Sequence, residues 1–402
     1  LRQISKLTRY TEGWRMLFSI DAHAIGQHLT GNETYVRNLL DQFDRLGADC
    51  EFMAYVSRKS ALSAVPERFQ TRLVAENPFT RLGWDLARQI RRDRPNLLHV
   101  QYTGPLFCSA SVVVSVHDVS FLSNPEYFPK FRARQLRTTV RRTVRNAAKV
   151  LTASEFSRRC IVDAYGLDEE DEEKVISIPN GVSPSFRPLA RQVAARFVRE
   201  RFGIASPYAL TIGDLQPRKN HLGLIRAFEE AVRAHPELPH QLLITGKDTW
   251  YSPEIRAAAA KSAVASRIHF TGFADDDDLP ALYGGCDLFV FPSFYEGFGL
   301  PILEAMACGR AVACSNTSAM PEVADSAALL FNPASVPEMT RAMLDLLLDA
   351  GLRARMERLG THRASHFGWG RTAQETLNVY YEVAGRRGAK VRAERPVPAV
   401  RS

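Results

Sequence analysis

One alternation runs the length of this chain and is interrupted once. Short runs rich in β-branched and aliphatic residues, Leu17 to Asp21, Glu51 to Val56, Leu97 to Tyr102, Val112 to His117 and Val150 to Ala153, are each separated by helix-length amphipathic stretches. A second set follows at Tyr208 to Ile212, Gln241 to Thr245, Ile268 to Thr271, Leu288 to Phe291 and Ala311 to Cys314. Strands regularly separated by helices cannot pair as hairpins, so the pattern predicts repeated βαβ units and parallel sheets. Between the sets lies Ile178-Pro-Asn-Gly-Val-Ser-Pro-Ser-Phe-Arg-Pro188, where three prolines and a glycine stop any regular element. The expected fold is therefore α/β, with two Rossmann-like doubly wound domains facing across an interdomain cleft and ligands held at the carboxyl ends of the strands. The predicted divisions are 16–182, 183–368, a C-terminal helix over 369–385 packing back on the first domain, and a disordered tail over 386–402; residues 1–15 are given no structural role.

Composition narrows the function classes. At 402 residues, 45% hydrophobic and 24% charged, the chain is long enough for two cores of ordinary soluble type. No apolar run approaches the roughly 18 residues that span a bilayer, and the first 20 residues lack a secretory apolar segment, so a cytoplasmic protein is expected, peripheral at most on the inner face of the membrane. The six cysteines are scattered and read as reduced, buried small residues. The net charge of +8 points to an anionic partner. Much of it lies on a predicted helix from Lys130 to Lys149, with Lys130, Arg134, Arg137, Arg141, Arg145 and Lys149 on one face and Leu136, Val140, Val144 and Ala147 on another. That stripe reads as a solvated face or as a contact for anionic lipid. The acidic run Asp168 to Glu173 reads as a solvated turn.

The most informative stretch is Asp287-Leu-Phe-Val-Phe-Pro-Ser-Phe-Tyr-Glu-Gly-Phe-Gly-Leu-Pro-Ile-Leu-Glu-Ala-Met-Ala-Cys-Gly309. A buried strand ends at Pro292, a glycine loop follows, Pro301 suits a helix start and Gly309 a helix stop. Gly297, Phe298, Gly299 and Leu300 are thereby placed where unpaired backbone N–H groups and the positive helix end can hold a diphosphate or a sugar hydroxyl. Glu296 and Glu304 flank that loop. A pair of glutamates at this spacing means little by itself; the strand, loop and helix around it make the signal specific.

This stretch resembles the E-x7-E motif of glycosyltransferase family 4, whose enzymes have the GT-B fold, and the resemblance extends from about Leu17 to Ala384. It implies a retaining, mannosyltransferase-like enzyme of polysaccharide or glycoconjugate assembly. A nucleotide-diphosphate sugar, GDP-mannose favoured, would be co-substrate with no cofactor and no metal, and the acceptor a saccharide or a lipid-linked one. Residues 16–182 would then be the acceptor side and 183–368 the nucleotide-sugar side. By the same resemblance Glu304 binds the ribose and Glu296 lies beside the hydroxyls of the donor sugar. Arg218 and Lys219, in Gly213-Asp-Leu-Gln-Pro-Arg-Lys-Asn220 at a helix start, neutralise the pyrophosphate. Thr271, Gly272 and Phe273 match the turn that lines the base, and His117, at the end of a buried strand, contacts the donor sugar. Gly31 matches the loop that lets the diphosphate approach the backbone, although the commoner double-glycine form is absent.

Rival classes lack their signatures. No G-x-G-x-x-G follows a strand and no phosphate-loop motif occurs, which removes dinucleotide oxidoreductases and P-loop NTPases. The D-x-D within Asp275 to Asp278 fits an acidic helix start, so no metal ligands are assigned. A nucleic-acid-binding protein would need aromatics interleaved with the basic stripe. Another GT-B enzyme, an epimerase or a phosphorylase, is the nearer alternative.

Overall fold

In the computed structural model, residues 16–385 are described apart from 28, 29 and 206, so the calls on residues 1–15 and on the tail over 386–402 lie outside the described residues. Strands β1 (Met16–Asp21), β2 (Cys50–Val56), β3 (Gln70–Leu73), β4 (Leu97–Gln101), β5 (Ser111–Ser115), β6 (Lys149–Thr152) and β7 (Val175–Ser177) form a sheet in the order β3-β2-β1-β4-β5-β6-β7. Strands β8 (Tyr208–Ile212), β9 (Gln241–Thr245), β10 (Ile268–Gly272), β11 (Leu288–Phe291), β12 (Ala311–Ser315) and β13 (Leu329–Phe331) form another in the order β10-β9-β8-β11-β12-β13. Both sheets step outward in one direction from their first strand and then restart on its other side. That reversal makes a topological switch point, beside β1 and β4 in one sheet and beside β8 and β11 in the other.

The described chain forms two compact units. One takes the residues up to Ser115, Thr143–Lys149 and the chain from Ala373; the other takes Val116–Arg142 and Val150–Thr372. In the first, Phe18, Phe43 and Phe52 are fully buried, and Tyr380 and Tyr381 of the helix Trp369–Val383 set their rings 5.3 Å from Phe18. The Tyr380 hydroxyl is also 2.5 Å from His99 Nδ1, so this helix end is both packed and hydrogen-bonded. In the second unit the central strands β8, β9, β11 and β12 bury both faces, which accounts for runs such as Leu288–Phe291 that are apolar without alternation.

Three local expectations change. The basic helix ends at Asn146; Ala148 N–H already bonds Val112 O, and Lys149 belongs to β6, where it pairs with Glu382 at 2.9 Å. The acidic run is not a plain turn, because Asp168 accepts from Asp171 N–H and caps a short helix, Glu169–Glu172. Gly31 does not lie in a loop either. It sits exposed in the first turn of the helix Thr30–Arg45, with nothing within 4 Å of where a Cβ would be, since Thr-Gly-Asn reads as a turn only until the helix behind it is formed.

Candidate donor site

The second unit gathers the charged motif residues at its switch point. The loop after β8 carries Arg218 and Lys219, and the loop after β11 carries Glu296 and Gly297; because β8 and β11 are hydrogen-bonded neighbours, the loops emerge side by side. Phe294 N–H bonds Arg218 O at 2.9 Å and the Arg218 guanidinium donates to Tyr295 O at 2.7 Å, tying one loop to the other. Asn220 makes the sharp exit of the first loop. Its φ of 54° is left-handed, a conformation asparagine tolerates, and its side chain accepts from Gly223 N–H to cap the helix His221–Ala234.

At the centre is a buried ion triad. Arg218 Nη1 and Lys219 Nζ each lie 2.7 Å from Glu296 Oε1. Burial raises the pKa of Glu296, but the two cations outweigh it and bring the carboxyl down to about 2. Burial lowers the Lys219 pKa, with Glu296 opposing, and the ammonium also lies 4.9 Å from the Phe291 ring centroid. Two cations converge on one carboxylate, with Asp214 also acting on Lys219, in a largely buried site where charge acts strongly.

Gly297 is required by contact rather than by φ. A Cβ there would lie 2.1 Å from the carbonyl oxygen of His117. This brings the backbone of His117 against the glutamate loop, two residues beyond the end of β5. Burial holds the His117 imidazole down at about 4, with Asp118 opposing, so it is neutral at pH 7. Gly299, at φ 106°, caps the helix Leu300–Ala307, in which Pro301 is the second residue. The Phe298 ring is buried and faces Phe367 at 6.0 Å, which leaves its backbone rather than its side chain for any ligand.

Glu304 stands apart from the triad. Its Oε2 accepts from the Tyr283 hydroxyl at 2.7 Å, and burial, against the hydroxyl's opposing effect, raises its pKa to about 7. On the adjoining strands, Gly246 N–H bonds Gly272 O at 2.9 Å, and a Cβ on Gly246 would meet Gly213 O at 2.0 Å. The Thr271–Phe273 turn is thus joined through bare backbone to the cationic loop. Thr271 Oγ1 donates to Thr245 Oγ1 at 2.9 Å, Gly272 has φ 75°, and Phe273 is 47% exposed.

Several supports are absent from the sequence reading. Ser154 and Ser157 both donate to Gly297 O, at 2.6 and 2.9 Å, and Ser157 also reaches His117 O at 3.3 Å. Ser318 accepts from Glu296 N–H at 2.9 Å. A Ser-x-x-Ser helix start and the Ser-Asn-Thr-Ser run after β12 are the only signals of these in the sequence, and both also read as ordinary caps and turns.

Residues 29–186 match the family described as Glycosyltransferase Family 4, and residues 206–349 match Glycosyl transferases group 1. O-antigen chain mannosyltransferase B of Escherichia coli is 32% identical over 269 residues, covering 67% of this chain and 69% of the relative. The chain belongs to glycosyltransferase family 4. Serotype-specific mannosyltransferase WbdA of Escherichia coli is 32% identical over 209 residues, 50% of this chain but 25% of that protein, so this glycosyltransferase corresponds to only part of it. The fold is matched by Anabaena Alr3699/HepE in complex with UDP-glucose, at TM-score 0.72 and 18% identity over 91% of this chain and 99% of that one. The two parallel sheets are those of the GT-B fold.

Proposed function

We propose that this glycosyltransferase moves mannose from GDP-mannose to a saccharide or lipid-linked acceptor with retention of anomeric configuration, and without metal or cofactor. The observation that carries the reading is the convergence of Arg218 and Lys219 on Glu296 Oε1, four residues before the helix Leu300–Ala307. A departing diphosphate needs fixed positive charge where its negative charge grows. Arg218, Lys219 and the Gly297 to Leu300 amides supply it. The acceptor oxygen bonds to the anomeric carbon on the face from which the β-phosphate oxygen leaves, and that oxygen takes the acceptor's proton. Glu296 positions both cations and meets the sugar hydroxyls; Glu304 accepts from the ribose; the Thr271–Phe273 turn faces the base.

A neutral His117 supports retention. An inverting enzyme needs a base for the acceptor hydroxyl, and an imidazole held at about 4 by burial is a weak one, suited instead to hydrogen-bonding a sugar hydroxyl. The mannosyl donor rests on the two named relatives, both mannosyltransferases. The test is NMR of the product formed from GDP-α-mannose in excess chelator. An α-linked product is expected; a β-linked one overturns retention, and activity that returns only with Mn²⁺ overturns metal independence.

The same reading includes a peripheral place on the cytoplasmic face of a membrane. Among the described residues no helix is long and apolar enough to cross one. The helix Lys130–Asn146 carries no acidic residue and exposes Lys130, Arg132, Arg134, Arg137, Arg141 and Arg145 together with Phe131, 74% exposed. Val140 and Val144 are buried on its other side. Such a face is attracted to anionic lipid within a Debye length.

A further inference from the structure

The first unit carries an apolar prominence. Phe79 is 65% exposed, Trp84 56%, Leu106 57% and Phe107 72%. They come from two segments joined by backbone, since Leu106 N–H bonds Leu82 O at 2.8 Å. The first segment begins at Asn77, which caps the turn Pro78–Thr80, and continues through a wider π turn, Arg81–Asp85, in which Leu86 N–H reaches back to Arg81 O. A π turn takes more residues than an α turn, so Trp84, five residues after Phe79, comes round toward the same face, and such turns often mark functional places.

The platform beneath these side chains is fixed. Arg81 is buried with its Nε 3.6 Å from Asp21 Oδ2, Leu86 and Ile90 are buried, and Gly104 N–H, at the foot of the Leu106–Phe107 loop, bonds Thr143 Oγ1 at 3.0 Å. Two large aromatics and a Leu-Phe pair, exposed on two segments joined by backbone over a fixed base, make an apolar surface of the kind that marks an interaction site.

Charge selects the occupant. The helix Leu86–Asp93 continues from Trp84, and Arg88 and Arg91, four and seven residues on, follow it along one face; Arg92 and Arg94 are exposed as well. The two acidic side chains of this segment are engaged elsewhere: Asp85 accepts from Ala75 N–H at 2.7 Å, and Asp93 holds Arg72 at 2.7 Å. An aromatic tip rimmed by arginine suits the boundary between lipid headgroups and acyl chains, where rings enter and guanidiniums stay with phosphate.

We propose that Phe79, Trp84, Leu106 and Phe107 insert into an anionic bilayer surface and that Arg88, Arg91 and Arg92 bind its phosphates. The proposal rests on the peripheral-membrane reading above but on residues separate from the helix Lys130–Asn146. Insertion of apolar side chains adds to surface charge the second signal that stable peripheral attachment needs.

Flotation of the full chain with phosphatidylcholine vesicles, with and without phosphatidylglycerol, tests it. Wild type is expected to float with the anionic vesicles, and brominated acyl chains should quench the fluorescence that Trp84→Phe removes. Changing Phe79, Trp84, Leu106 and Phe107 together to Ser should weaken attachment by about tenfold or more, with an unchanged unfolding midpoint showing that the variant folds. A variant with Arg134, Arg137 and Arg141 changed to Glu tests the other helix by itself: lost binding there with unchanged binding of the serine variant keeps the peripheral reading and overturns this one. Wild type that ignores anionic vesicles overturns both. A serine variant that turns a dimer into a monomer, or that loses affinity for a soluble oligosaccharide while still floating, also overturns the proposal.

Discussion

The two switch points have the same strand order and hold their buried carboxylates with different sets of cations. Beside β1, Asp21 is buried with Arg81 Nε at 3.6 Å and His23 Nδ1 at 3.1 Å, and although burial raises its pKa the partners bring it down to about 2. Beside β8, Glu296 is likewise buried and likewise held at about 2. In the first cluster one carboxylate meets one permanent cation and the charge closes. In the second it meets two, with Asp214 acting on Lys219 from the same loop. The topology provides a place for charge at both points; on the proposed function, the pairing of cations on one carboxylate is what fits the second place for chemistry.

Removing cations one at a time should separate these uses. The largest effect on folding is expected for Arg81→Met, which leaves the Asp21 carboxylate buried without its one permanent cation; denaturant unfolding should show a loss of about 3 kcal/mol. Retained stability would mean that Asp21 reaches water and that the two clusters are not comparable. Lys219→Ala, in contrast, leaves Glu296 paired with Arg218 and should cost less stability than Arg81→Met, while turnover falls by about 100-fold, or ~2.7 kcal/mol in the barrier. If the Michaelis constant rises with turnover unchanged, Lys219 binds ground and transition states alike.

A smaller effect, and one that changes sign with the observable, is expected at Glu304. Its folded pKa of about 7 lies above the ordinary carboxyl value of 4.5, so as pH rises from 4.5 toward 7 the unfolded chain loses its proton first and stability falls. Glu304→Gln should therefore be more stable than wild type at pH 8. If the ionised carboxylate accepts from the ribose, wild-type affinity for GDP-mannose should fall by about tenfold per pH unit below 7, while the variant binds weakly at every pH. A wild-type affinity that is flat from pH 5.5 to 8 removes Glu304 from the ribose. The smallest change is expected for Ser157→Ala, where Ser154 still donates to Gly297 O; a loss of about 1 kcal/mol in turnover or less is the ordinary worth of one such bond. A loss as large as that of Lys219→Ala would make this serine part of the chemistry.

The backbone plan was legible because it depends on local pattern. Apolar runs separated by helix-length stretches gave the central strands of both sheets, though not the edge strands β3 and β13, and the strand, loop and helix around Glu296 and Glu304 were readable from Pro292, Pro301 and Gly309. What escaped depends on side chains meeting across long separations. Tyr283 and Glu304 are 21 residues apart, Ser157 and Gly297 are 140, and nothing in composition or spacing tells that one hydroxyl turns toward the other group. The same limit hid Asp21 and Arg81. At Gly31 the placement alone differs: the resemblance implies a loop, but a glycine in a helix's first turn costs little enough that the helical pattern behind it prevails.

Gly31 and Gly297 also differ in what their missing side chains mean. At Gly31 the space is open, whereas at Gly297 and Gly246 the carbonyl oxygens of His117 and Gly213 fill the volume a methyl group would need. In a saturation library selected for transferase activity, position 31 should accept alanine and most polar residues, while positions 246 and 297 should reject even alanine. Their intolerance would come from thickness alone: the donor-site loops are stacked at the separation of two bare backbones, and any residue with a Cβ acts as a spacer that moves the charges of one loop away from those of the next.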